Sequence, residues 1–190
     1  MLSPDEVNAF TNALRRYRDR AMVSAMLLGG LRRSEALGLR RRDVNIGERR
    51  LFVVEGKGAK DRIVPISPRF FADLDAYLIE ERPQDAVSDH LFLVLKGPHR
   101  GQPLTAAGLE EIVVAARRRA GIPGLTCHQL RHTCLTRLRE AGMPLEAIQA
   151  QAGHRSIETT KVYVHLSNTW LAEEYMRAIA AIDEMKITVP

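Results

Sequence analysis

Period is the feature that most narrows what this chain can fold into. Along most of its 190 residues apolar side chains recur at helical spacing between helix start and stop signals, and the period drops to two only between Val44 and Ile66. Ser3-Pro4-Asp5-Glu6 is a helix start, with Ser3 as N-cap, Pro4 in the first turn and Glu6 reaching back. Val7, Phe10, Leu14 and Tyr17 follow at helical spacing and are expected to face the core. A second, nearly all-apolar helix is expected from about Asp19 to Leu28, ended by Gly29-Gly30. Ser34 can cap a short helix whose Leu37 points inward, which leaves Arg32 in the tight turn before it. In the period-two stretch, Arg50 to Glu55 and Arg62 to Ile66 flank Gly56-Lys57-Gly58-Ala59-Lys60-Asp61. That pattern predicts a hairpin with a glycine-rich tip, and Pro65 marks an edge strand.

Helical spacing then resumes. Ser67-Pro68 starts a helix with Phe70, Phe71, Leu74, Tyr77 and Leu78 on its buried side, followed by a polar loop over Arg82 to His90. Leu91 to Leu95 is apolar and reads equally as helix or strand. Thr105 caps a helix to Ala120, stopped by Gly121. Thr126 and Gln129 form a capping-box pattern at the head of a helix whose core stripe is Leu130, Cys134 and Leu138. Pro144 to Gln151 is a short helix stopped by Gly153, and Ser156 caps another that ends near Tyr163. A last amphipathic helix, about 167–186, has Trp170, Leu171, Tyr175, Ile179 and Ile182 on one side. The expected fold is mainly α with a small antiparallel β-hairpin or sheet, in one domain over residues 1–190.

Bulk properties bound the function classes. A chain of this length can bury roughly 70% of its unfolded surface, and 45% hydrophobic residues suffice for a core. The net charge of +5 and the pI of about 9.6 fit a polyanionic partner, or simply a basic soluble protein. Cys127 and Cys134, seven residues apart on one helix, stand about 10 Å from each other, too far for a disulfide. They read as buried thiols, which indicates a cytoplasmic protein. No apolar run reaches the roughly 20 residues of a membrane span, and no signal-peptide pattern opens the chain.

The chemistry concentrates between His128 and Tyr163. If Thr126 caps its helix, His128 and Arg131 lie one turn apart on one face, a ring nitrogen beside a planar cationic fork suited to phosphate oxygens. A tyrosine near such a pair is a candidate oxygen nucleophile toward phosphorus. Each residue has a bland reading too. Tyr163 alone would be a core tyrosine, Lys57 a solubilising turn residue, and Arg40 to Arg42 a solvated face. His128 and His132 have the spacing of a zinc helix, but Gln129 replaces the glutamate of zinc hydrolysis and no third ligand is evident, so no metal is expected. His132 is expected to be a buried hydrogen-bonding residue.

Four pieces in order resemble the catalytic domain of a tyrosine recombinase of the phage integrase family. They are G-L-R-x-S-E at Gly30 to Glu35, the hairpin G-K-G at Gly56 to Gly58, H-x-L-R-H-T at His128 to Thr133, and G-H-x-S-x-x-T-T-x-x-Y at Gly153 to Tyr163. The resemblance implies the tyrosine recombinase catalytic-domain fold and six active-site positions: Arg32, Lys57, His128, Arg131, His154 and Tyr163. Gln129 stands where the family often has Asp, Gly29 where Thr is common, and Ala152 where Leu is usual; none of these removes a reacting group. Family members usually have a preceding DNA-clamping helical domain, which is absent from this chain.

The resemblance implies a site-specific DNA recombinase or integrase that cleaves and rejoins strands through a 3′-phosphotyrosine at Tyr163, with no cofactor, metal or ATP. Arg32 and Arg131 would clamp the non-bridging oxygens, Lys57 would protonate the departing 5′-oxygen, and His128 would take or relay the tyrosine proton. His154 would donate a hydrogen bond to the phosphate. Glu35 would orient His128 or Arg32, and Lys60 competes with Lys57 for the acid's role. The implied partner is double-stranded DNA, with Arg40 to Arg42, Lys60, Arg62 and Arg117 to Arg119 as candidate contacts. In the family the segment after the tyrosine docks on a neighbouring protomer, which implies a DNA-bound tetramer. A transposase of the same chemistry, a type IB topoisomerase-like enzyme and a non-catalytic DNA-binding remnant of a mobile element are the alternatives.

Overall fold

The computed structural model describes residues 1–54, 61–153 and 168–184. Helix α1 (Pro4–Asn12) starts as its sequence indicates. The Ser3 hydroxyl accepts from the Glu6 amide at 3.2 Å, and the Glu6 carboxylate accepts from the Ser3 amide at 2.8 Å. The helix ends five residues before Tyr17, which instead opens α2 (Tyr17–Leu27). Val7, Phe10 and Leu14 are buried as expected; Tyr17 is half-buried beneath the Arg20 guanidinium. Helix α2 is apolar almost all round because it is central, packed against both α4 and α6.

Helix α3 (Arg33–Gly38) is capped differently from expectation. Arg32, not Ser34, is the N-cap residue, and Glu35 at the third helical position reaches back to the Arg32 amide at 2.7 Å. Ala36 rather than Leu37 is the fully buried residue. A 3-10 turn (Arg41–Asp43) leads into the sheet, which has three antiparallel strands in the order β1 (Val44–Asn45), β2 (Arg50–Val53), β3 (Arg62–Pro65). The β2–β3 hairpin and the edge position of Pro65 are as the pattern predicts, and the two-residue β1 is an addition. Leu51 opposes Val64 and Val53 opposes Arg62. Alternation therefore puts Arg62 on the face shared by the buried Leu51, Val53 and Val64.

Ser67 caps α4 (Pro68–Ala76), which runs into one wide π-helical turn, Tyr77–Glu81. Residues 91–95 are neither helix nor strand. A single bridge joins Leu93 to Pro103, and the Tyr77 hydroxyl donates to the Leu91 carbonyl and accepts from the Leu93 amide, both at 3.1 Å. The core there is built from an irregular segment held by this buried phenol together with the Arg18 guanidinium on the Leu93 carbonyl and backbone bonds to Leu39, Gln102 and Leu104. Helices α5 (Ala106–Ala120), α6 (Cys127–Glu140) and α7 (Leu145–Ala152) follow with the predicted caps at Thr105, Gly121, Thr126 and Gly153. The expected helix between Ser156 and Tyr163 lies outside the described residues.

Helix α8 (Asn168–Glu184) closes a second, smaller apolar cluster. Its Leu171, Tyr175 and Ile179 pack with Cys134, Leu138, Met143, Ala147 and Ile148 of α6 and α7. The Tyr175 hydroxyl is fully enclosed; it accepts from the Ser67 amide at 3.0 Å and donates to the Leu28 carbonyl at 2.8 Å. Both cysteines are free and buried, and burial pushes the Cys134 thiol up to about 12. Among the described residues no helix is long and apolar enough to cross a membrane.

Replacing Tyr175 with Phe takes the acceptor from the buried Ser67 amide and leaves the Leu28 carbonyl with the Cys134 thiol as donor, where α8 meets α2 and α4. The Tyr175→Phe variant is expected to lose about 1–3 kcal/mol of stability, read as a lowered midpoint in urea with an unchanged slope.

Candidate active site

The site is built where α2 ends. Gly30 takes a left-handed conformation, φ +68°, that turns the chain sharply after α2. A Cβ on the preceding Gly29 would stand 2.8 Å from the Ala25 carbonyl oxygen, so this backbone has no room for the Thr common in the family at that position. The turn delivers Arg32 to the head of α3, and the capping arrangement brings Glu35 back over it.

Glu35 is the hub. The Arg32 amide donates to one of its oxygens at 2.7 Å and Arg32 Nη1 to the other at 2.6 Å. Arg62 approaches from β3 and pairs with both oxygens, each at 3.0 Å. Arg131 enters from α6, its Nη1 3.8 Å from Glu35 Oε2 and donating to the Gly30 carbonyl. Three guanidiniums from three different elements thus surround one carboxylate whose side chain is 6% exposed.

The same three arginines also close the C-terminus of α7. Arg62 Nε donates to the Gln151 carbonyl at 3.2 Å, Arg131 Nη2 to that of Ala152 at 2.7 Å, and Arg32 Nη2 to that of Gly153 at 3.1 Å. The last carbonyls of a helix lack partners within it and carry the negative end of its dipole, so cations belong there. Gln151 adds a fourth tie, its amide nitrogen donating to the Gly29 and Pro65 carbonyls at 3.0 Å each. The chain leaves this anchored end directly into His154.

Exposure separates the arginines. Arg131 and Arg62 side chains are 8% and 10% exposed, Arg32 39%. Arg32 is the most accessible of the three. Arg131 is wedged behind it, and His128 lies one turn before Arg131 with its ring exposed. His132 is exposed as well, correcting the expectation of a buried histidine, because α6 turns Leu130, Thr133 and Cys134 inward and leaves 128 and 132 on the outer face. Among the described residues Glu35 pairs with Arg32, Arg62 and Arg131, so of the two orienting roles expected for it the one toward Arg32 has a contact behind it. Lys57, His154 and Tyr163 lie outside the described residues, as does Lys60.

Burial raises the Glu35 pKa, but hydrogen bonds from Arg62 and the Arg32 amide and the Arg62 charge outweigh it and hold the carboxyl at about 2. Burial, then the neighbouring Arg32, pull Arg131 down to about 10, with Glu35 opposing. Arg131 therefore stays charged at neutral pH in a place that disfavours the charge, which makes an anion a welcome neighbour. Among the described residues no three His, Cys, Asp or Glu side chains cluster as metal ligands. A groove of about 780 Å³ runs between Lys96–Thr105 and α5, but shares no residue with the arginine cluster.

Several basic residues suggested as DNA contacts have internal duties. Arg62 belongs to the cluster, Arg117 donates to the Leu125 carbonyl at 2.9 Å, and Arg119 donates twice to the Ala13 carbonyl. Arg40 pairs with Asp89 at the surface, and Arg41, Arg42 and Arg118 are exposed. The role of Arg62 had a signal in the sequence: a charge at a core-facing strand position requires a buried counter-charge.

The profile of the phage integrase family matches residues 1–169. The chain belongs to that family. Among its integrase-family relatives, tyrosine recombinase XerC 2 of Ralstonia nicotianae is 41% identical over 164 residues, covering 85% of this chain and 45% of that protein. The crystal structure of XerA recombinase matches with a TM-score of 0.75 at 32% identity, covering 93% of this chain and 64% of that one. XerH site-specific recombinase, bound to its difH substrate in a pre-cleavage complex, matches with a TM-score of 0.68 at 27% identity, covering 87% and 50%. The mainly helical fold with a small antiparallel sheet is thus the fold of tyrosine recombinases. The chain spans about half the length of the curated relatives it matches.

The lowered pKa of Glu35 makes stability depend on pH. Its ionised form is favoured by folding, so it contributes stability above the unfolded value near 4.5 that is lost as pH falls toward about 2. Urea titrations across that window are expected to show a shallower loss of stability in Glu35→Gln than in the parent, with the parent the more stable at neutral pH.

Proposed function

We propose that this chain is the catalytic part of a site-specific DNA recombinase that breaks and rejoins strands through a covalent phosphotyrosine. The observation that supports this most is the arginine cluster, in which Arg32 and Arg131 are held together over the Gly29-Gly30 turn. Planar guanidiniums suit the two non-bridging oxygens of a phosphodiester, and donors already oriented need no rearrangement as charge builds on phosphorus.

In this reading the Tyr163 oxygen attacks the scissile phosphorus, forming a new P–O bond to the 3′ side. The bond from phosphorus to the 5′-oxygen breaks. His128 takes the tyrosine proton, and Lys57 gives one to the departing 5′-oxygen. Arg32 and Arg131 bind the non-bridging oxygens, and His154, next after the anchored Gly153, donates a third hydrogen bond. The phosphotyrosine keeps the energy of the cleaved bond, so the 5′-hydroxyl of another strand reverses the step without ATP or metal.

The partner proposed is double-stranded DNA, met through phosphate contacts, with assembly of four copies on it. Helix α8 is held by its own core through Leu171, Tyr175 and Ile179, which leaves its exposed flank, with Glu173 and Arg177, to a neighbour.

The test is covalent trapping on nicked suicide duplexes drawn from DNA flanking the gene. A denaturant-resistant adduct is expected with the parent chain and none with Tyr163→Phe. Arg32→Ala is expected to slow adduct formation by about 100-fold or more, the scale for loss of a donor to the developing charge. An adduct persisting in Tyr163→Phe overturns the assignment.

A further inference from the structure

The geometry points to Arg62 as a positioning residue of the same site: by pairing with Glu35 it leaves the charge of Arg32 and Arg131 available to the scissile phosphate. This inference rests on the phosphotransfer reading above and gives a task to a residue outside the six positions that the family resemblance supplies.

Among the described residues the cluster holds three guanidiniums and one carboxylate, so it has two positive charges in excess. A phosphodiester brings one negative charge, and an attacking phenolate brings a second. The excess matches what accumulates around phosphorus when the tyrosine oxygen adds. Without Arg62 the carboxylate would draw on Arg32 and Arg131 alone, and one unit of the excess would vanish.

Geometry supports the same division of labour. Arg62 engages Glu35 in parallel, Nη1 to Oε1 and Nη2 to Oε2, both at 3.0 Å. This two-pronged form is the strongest that a carboxylate and a guanidinium make. Arg62 leads the causes that hold Glu35 ionised against its burial. Its Nε is fixed on the Gln151 carbonyl at 3.2 Å, so the whole fork is turned away from the surface. At 10% exposed its side chain is a poor DNA contact, whereas that of Arg32 is 39% exposed. Arg62 also stands on β3 opposite the buried Val53, so its direction is set by the sheet and not by a mobile side chain. A lysine there would keep the charge but lose the fork, because an ammonium cannot span both oxygens in a plane.

The test compares the parent, Arg62→Met, Arg62→Lys and the double variant Arg62→Met with Glu35→Gln. Single-turnover cleavage is followed on a suicide duplex with either an ordinary phosphodiester or a methylphosphonate at the scissile position. The methylphosphonate removes one non-bridging charge. Arg62→Met is expected to cut the ordinary duplex about tenfold or more slowly, by analogy with the loss of other electrostatic contributors. Its deficit should shrink on the methylphosphonate, and its equilibrium affinity for duplex DNA should stay close to that of the parent. Adding Glu35→Gln removes the carboxylate charge that Arg62 no longer offsets, so the double variant is expected to cleave faster than Arg62→Met. Arg62→Lys should fall between parent and Arg62→Met.

A deficit equal on both substrates, or a double variant slower than Arg62→Met, would assign Arg62 to folding alone and overturn the inference. A loss of DNA affinity in step with the rate would make it a DNA contact and overturn it equally. Should Arg62→Met not fold, the comparison of Arg62→Lys on the two substrates decides by the same criterion. Absence of any adduct from the parent protein would count against the phosphotransfer reading itself, a different outcome from an adduct whose rate ignores Arg62.

Discussion

Everything at this site depends on one carboxylate being out of water. Glu35 is nearly fully enclosed, and an ionised group there is tolerable only with charged donors on both oxygens. Arg32, Arg62 and Arg131 supply them from the head of α3, the start of β3 and the middle of α6. The carboxylate therefore fixes three elements relative to one another at a single point. Remove it, and three buried or half-buried cations would repel each other across a few ångströms. The like-charge crowding is already visible in Arg131, which its burial and then Arg32 make less basic.

The two apolar clusters meet at this point. The larger, built on α2 with α1, α4, α5 and the sheet, presents the Gly29-Gly30 turn. The smaller, built on α6, α7 and α8, presents Arg131 and the end of α7. Gln151 crosses between them, from α7 to the Gly29 and Pro65 carbonyls, and Tyr175 crosses from α8 to Leu28 and Ser67. Polar ties through buried side chains orient the two clusters in a way that apolar contact alone, being non-directional, would not.

Much of this was legible in the sequence, and the illegible part has a physical pattern. Caps at Ser3, Ser67, Thr105 and Thr126 and stops at Gly121 and Gly153 are local events, decided within four residues, and they read correctly. Arg32 and Arg131 were singled out from their motifs, and the fold does bring them together. One local cap is a miss, at α3, where Arg32 takes the place expected of Ser34; the other misses are non-local. Tyr17 continues the spacing of α1, but the chain breaks first so that α2 can cross the core. His132 looked enclosed because its neighbours at 130, 133 and 134 are. Arg62 was assigned to DNA on charge alone, although strand alternation placed it inward. The two-residue β1 has too little pattern to announce itself. Leu91 to Leu95 is ambiguous in the sequence because it is neither helix nor strand, and is held by distant groups, the Tyr77 hydroxyl, the Arg18 guanidinium and the backbone of Leu39 and Gln102.

The way α7 ends has a consequence for how this chain can vary. Its last three carbonyls are each held by a different arginine, and those arginines are rooted in three separate elements. Successive carbonyls of a helix fan out by about 100°. Inserting or deleting one residue inside α7 would swing all three away from their donors at once, with no side-chain adjustment able to recover them. Length changes inside Leu145–Ala152 are thus forbidden by phase, even though helix surfaces ordinarily absorb substitution freely. The helix works as a ruler with one permitted graduation, and the residue that follows Gly153 inherits its starting position from that ruler.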